Sequence, residues 1–170
     1  VLNNASTPFG KRLLRERLLN PILDVELLNK RYNYVESMCT HDSLSYYKNY
    51  ENNLMKIQDI ERLHRKMGLK MLQPSDFAGL DFSYEHINNI LNIENDRLNE
   101  LQPSKEIITK FNAFIGEYNQ DFNMDEIVKF HLDKITKSFF KSNVYHEIDE
   151  TQKKIDNKHF IFETIINKLS

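Results

Sequence analysis

Four prolines in 170 residues, each at a border between runs of helically spaced apolar residues, constrain this chain more than any other feature. Proline has no N–H to donate and disfavours helical geometry in the residue before it, so it opens or closes helices but does not continue them. Thr7-Pro8 predicts a helix start, with the Thr hydroxyl as cap and Pro at the first helical position. Phe9, Leu13, Leu14 and Leu18 then share a face, and Asn20-Pro21 ends the run. Asp24 begins a second helix whose inner stripe is Leu27, Leu28, Arg31, Val35 and Met38, with Arg31 expected either to pair with a carboxylate or helix-end carbonyls or to reach water with its head. Asp42 is the expected cap of a third, anchored by Leu44, Tyr47 and Leu54. Ile57, Ile60, Leu63 and Met67 continue a helical pattern to Gly68, the expected stop. Pro74-Ser75 opens a helix faced by Phe77, Leu80, Tyr84, Ile87 and Leu91, where Gly79 marks a close contact. Pro103-Ser104 opens another, with Ile107, Ile108, Phe111, Phe114, Ile115 and Tyr118 inside. Residues 119–126 read as a turn, Ile127, Val128, His131 and Ile135 as a shorter helix, and 136–143 as a connection. With only four glycines beside the four prolines, the chain has little material for tight turns. The expected fold is all-α, an irregular multi-helix bundle.

The last segment differs in kind. Ile148, Ile155, Phe162 and Leu169 stand seven residues apart, and Tyr145, Gln152, His159 and Ile166 fill the complementary heptad positions. About 25 residues at this pitch make a rod of roughly 37 Å. The expected organisation is a helical body over residues 1–142 and a long C-terminal arm over 143–170. The chain opens on Val1 and its seam is still running at Ser170, so an excised piece of a longer protein, or a processed chain, is expected.

Charge narrows the function. Residues 1–70 hold twelve Lys/Arg against eight Asp/Glu, and residues 71–170 hold eleven against seventeen. Neither part has the dense basic character of a self-sufficient nucleic-acid binder. Lys11, Arg12, Arg15 and Arg17 form the densest basic cluster, with Arg62, Arg65, Lys66 and Lys70 second; either is a candidate for phosphate or interdomain contacts. Cys39 is the single cysteine, so neither an internal disulfide nor a Cys-based zinc site is available. Six histidines show no H-x-x-x-H spacing, and no G-x-S-x-G elbow occurs. Thr7-Pro8-Phe9-Gly10-Lys11-Arg12 has only a superficial likeness to a phosphate-binding loop, lacking the first Gly and the hydroxyl after Lys. Asp59 and Glu61, two apart on a helix, are expected to point to different sides. No apolar run is long enough to span a bilayer, and no signal peptide is expected. No catalytic, cofactor or metal residues are expected, and the compartment is expected to be intracellular.

Two stretches together resemble the MutS family of DNA mismatch-repair ATPases. Thr7 to Leu14, continuing through Leu18-Leu19-Asn20-Pro21-Ile22 to Leu27, Arg31 and Val35, is similar to that family's T-x-x-G-x-R-x-L helix and following W-L-x-x-P-L, with Arg17 where Trp is usual. Ile57-Gln58-Asp59-Ile60-Glu61-Arg62-Leu63, with Pro74-Ser75-Asp76-Phe77 downstream, resembles its D-[IL]-E-R helix and P-x-D-L. Asn143 to Glu150 is similar to the G-Y-x-x-E-L-D start of the clamp-bound helix, with Val144 in place of Gly. The Asn-, Ile- and Lys-rich flavour looks closer to the giant-virus and organellar branch. The resemblance implies a core or lever segment (domain III) without catalysis of its own. It implies that Phe9, Leu13, Leu27 and Ile60 belong to a packed fulcrum, and that the Ile148, Ile155, Phe162, Leu169 seam belongs to a lever helix leading toward a DNA clamp. It also implies ATP and Mg in the parent protein, mismatched double-stranded DNA and neighbouring MutS domains as partners, a full-length dimer, and no membrane. The competing expectation is a freestanding helical interaction module that uses its C-terminal coiled-coil-like helix.

Overall fold

The computed structural model describes residues 3–39, 44–93, 96–129 and 134–169. Among these the architecture is all-α: α1 (Pro8–Leu19), α2 (Val25–Cys39), α3 (Leu44–Leu54), α4 (Ile60–Gly68), α5 (Pro74–Leu91), a 3-10 segment (Asp96–Leu101), α6 (Lys105–Asp121), the single turn α7 (Met124–Ile127) and α8 (His146–Leu169). The expected Asp42 cap and the inward His131 lie outside the described residues. The chain divides into two compact units, Val1–Thr109 and Lys110–Ser170.

In the first unit the core is built on α5, with α3 and α4 packed against it. Leu80 and Ser83 of α5 are fully buried, with Ile57, Leu63, Ala78, Tyr84 and Ile93 packed around them. α1 and α2 contribute no buried residue. This corrects the expected fulcrum. Phe9 and Ile60 are half-buried, but Leu13 and Leu27 are 46% and 41% exposed. Their helical spacing is real, yet α1 and α2 lie at the periphery, where an apolar face is only partly covered. Spacing reports which residues share a face, not how much of that face a neighbour covers.

The run from Ile57 to Met67 is not one helix. α3 ends at Leu54, the Ile57 N–H donates to the Leu54 carbonyl at 3.1 Å, and α4 starts only after Asp59. Ile57 is apolar because it plugs the core from the turn. The turn is held by Ser83, whose hydroxyl accepts from the Gln58 N–H at 3.1 Å and donates to the Gly79 carbonyl at 2.7 Å. At Gly79 a Cβ would stand 2.5 Å from the Gln58 amide oxygen, so the expected close contact is with that side chain. α4 stops at Gly68, but the left-handed residue is Lys70, φ 57°. Met71 N–H bonds to the Lys66 carbonyl and Lys70 N–H to that of Met67, both at 2.9 Å, the paired bonds of a Schellman end.

In the second unit, residues 136–143 do more than connect. Phe140 pairs antiparallel with Phe122, with Asn123 N–H to the Phe139 carbonyl at 2.7 Å and Lys141 N–H to that of Asp121 at 2.8 Å. Aromatic rings at 5.0 Å (Phe122–Phe140) and 4.9 Å (Phe140–Tyr145) carry this corner to the start of α8. Of the expected short helix through Ile135, residues 130–133 lie outside the described residues; the described part includes the helical turn Met124–Ile127, with Ile127 buried. Glu126, also buried, accepts from the Thr136 and Lys137 N–H groups and pairs with Lys129 at 2.6 Å. α8 then runs for 24 residues, roughly 36 Å.

Candidate functional site

The motif residues of the first unit meet in space, and each has a mechanical task. Thr7 is buried and caps α1: its hydroxyl accepts from the Gly10 N–H at 3.0 Å, and its carbonyl accepts from Lys11 N–H at 3.0 Å. A Cβ on Gly10 would lie 2.7 Å from the Thr7 hydroxyl oxygen. Glycine is required there because the cap fills that space. These bonds engage the Gly10 and Lys11 amides.

Arg12, one turn on, leaves the basic cluster and turns to α4. Its guanidinium grips Asp59 through two hydrogen bonds, 2.8 and 2.9 Å, and also donates to Glu61. The expected divergence of Asp59 and Glu61 therefore fails. Asp59 is not in the helix but is its N-cap, with ψ 76°, so helical angular spacing does not apply to it. Its carboxylate also accepts from the Arg62 N–H at 3.4 Å. The Arg12 guanidinium, helped by that backbone N–H, holds the Asp59 carboxyl below its ordinary range. In return the two carboxylates push the Arg12 pKa up.

A second joint ties α4 to α5. Lys66 Nζ sits 2.8 and 2.9 Å from the two Asp76 oxygens. Asp76, in the first turn of α5, also accepts from the Gln73 N–H at 3.2 Å. Lys66 first and that backbone bond second draw the Asp76 pKa down. Of the expected contact residues, Lys11, Arg15 and Arg17 are exposed on α1, and Arg12 alone is drawn into the joint. Two tasks were not announced by local sequence, because the partners stand ten residues apart: Lys66 forms an ion pair with Asp76, and Glu126 accepts from the Thr136 N–H.

On α8, Ile148 is half-buried while Ile155 and Phe162 are 44% and 64% exposed. The side chain of Leu169 lies outside the described residues. Phe160, Ile161, Ile165 and Ile166 are exposed as well. The polar heptad position Gln152 has a local explanation: its amide donates to Asp156 at 2.8 Å and reaches the Thr136 carbonyl at 3.5 Å. At the helix start Asn143 takes φ 71°, which Asn tolerates better than most residues, and its N–H donates to the Asp149 carboxylate at 2.8 Å. The left-handed position is thus Asn143, and Val144 need not be glycine. Among the described residues no group of three or more His, Cys, Asp or Glu could hold a metal ion, and no helix is long and apolar enough to cross a membrane.

In this all-α segment T-x-x-G-x-R and D-I-E-R are two halves of one joint. The chain matches MutS domain III over residues 1–168 and belongs to that family. It is 32% identical over 161 residues to a DNA mismatch repair protein mutS homolog of Acanthamoeba polyphaga mimivirus, covering 92% of this chain and 14% of that protein. It is 29% identical over 120 residues to the DNA mismatch repair protein MutS of Protochlamydia amoebophila, covering 68% of this chain and 14% of that protein. Over 77 residues, 45% of the chain, it is 40% identical to the MutS of Borrelia turicatae. The chain therefore spans only a small part of the length of these relatives.

Proposed function

We propose that this segment is the connector and lever of a MutS-type mismatch-repair ATPase, transmitting nucleotide state from an ATPase domain elsewhere in the parent to a clamp on mismatched double-stranded DNA. In this reading residues 1–142 are the body and 143–170 begin the lever helix. The parent, working as a dimer with ATP and Mg in its ATPase domain, supplies the chemistry, and this segment supplies none. Transmission needs a stiff element with two arrangements that both distant sites bias.

The observation that carries the reading is α8. Its first turns are anchored by Asn143–Asp149, Phe140–Tyr145 and Gln152. Beyond Ile155 it continues as a helix whose apolar residues are largely uncovered. An anchored base and an unsheathed rod suit an arm that pairs with another helix and moves as one piece.

Ile155→Asp in the full-length parent tests this. The charge would sit on the apolar line without touching the anchor. The expected result is retained mismatch binding with loss of ATP-triggered clamp release from DNA. Unchanged release would overturn the lever reading.

A further inference from the structure

We infer that α1 is a clasped, releasable element, with the Arg12 guanidinium as its pin and the Asp59–Glu61 pair as its socket. Three observations carry this. Within α1 no residue is fully buried, and of its large apolar residues only Phe9 and Leu14 are half-buried, so apolar burial holds it down weakly. Among the described residues, the side-chain hydrogen bonds and ion pairs that tie α1 to another helix all run through Arg12. Arg12 is half exposed, so water and salt can compete for the grip, and the bidentate geometry gives it direction more than strength.

The socket survives release. Asp59 keeps its bond to the Arg62 N–H and continues to cap α4 when Arg12 leaves. The α3–α5 core, centred on Leu80 and Ser83, contains no α1 residue. α1 can therefore undock without unfolding the helices beneath it, carrying Arg12 back to the side of Lys11 and Arg15 as a free cation. This device does not rest on the lever reading and stands or falls separately.

Hydrogen exchange read by mass spectrometry on the full-length parent tests it. Arg12→Ala is expected to speed exchange of the α1 amides about fivefold, with the α5 amides near Leu80–Tyr84 unchanged. Asp59→Asn should act alike on α1 while sparing α4, since Asn caps as well as Asp. If Arg12→Ala does not fold, raising NaCl from about 50 mM to about 500 mM on the unaltered protein should speed α1 selectively. Unchanged α1 exchange in every arm, or α1 and α5 quickening together, would overturn the inference.

Discussion

At the scale of single residues, the motif positions are joints. Thr7 and Gly10 form one device, because the hydroxyl that caps α1 occupies the volume a side chain at position 10 would need. This coupling has a measurable sign. Thr7→Ala is expected to cost about 1 kcal/mol through the lost cap. Gly10→Ala alone should also destabilise, because Thr7 must rotate out of its bond. In the Thr7→Ala background, however, Gly10→Ala should stabilise by about 0.5 kcal/mol, the helix preference of Ala over Gly being unopposed. A double-mutant cycle from urea unfolding reads this, and additive single effects would refute the shared-space account. Asp59 likewise does two tasks at once, capping α4 and receiving Arg12.

At the scale of elements, helices here are registered by polar contacts placed inside apolar ones. Ser83 is the fully buried example: it satisfies the Gln58 N–H of the α3–α4 turn and bonds back to its own helix at Gly79. Ser83→Ala keeps the packing nearly intact but strands a backbone donor. The expected cost is about 1 kcal/mol, the loss of a part-buried hydrogen bond. The denaturant midpoint should fall with little change in slope, and a midpoint within error of the parent would show that water reaches Gln58. In the second unit Glu126 plays the comparable part, gathering Thr136 and Lys137 N–H groups to the α7 turn.

At the scale of the whole molecule, depressed carboxyls set the response to acid. Lys66 lowers Asp76, Arg12 lowers Asp59, Lys129 lowers Glu126 and Lys30 lowers Glu100. A carboxyl whose folded pKa lies below its unfolded value stabilises the fold above the unfolded pKa. That contribution is lost as pH falls through the folded one. Stability should therefore be flat near neutrality and fall from about pH 4 downward. Asp76→Asn should lower stability at pH 7 and flatten the acid limb. Urea midpoints measured from pH 7 to pH 3 would show it, and an unaltered acid limb would remove Lys66–Asp76 from the account. The motif positions of this MutS domain III chain are helix caps and ion pairs.

The all-α fold, the proline-marked helix starts at Pro8 and Pro74, the Thr7 cap, the crowded Gly79 and the long arm were legible in the residues themselves. Each depends on interactions within a few positions, or on a repeat that one helix carries alone. The family was legible for the same reason, since its motifs are short and ordered. Three things were not: that Ile57 plugs the core from a turn, that Arg12 leaves its basic neighbours for Asp59 and Glu61, and that residues 136–143 pair with the end of α6. In each the partner is many positions away, and in two the backbone departs from the helical path that periodicity assumes. Local chemistry determined which segments are helices and where they are capped. Only tertiary packing decided which apolar faces are covered and which charges meet, because burial and ion pairing depend on distances that sequence separation does not encode.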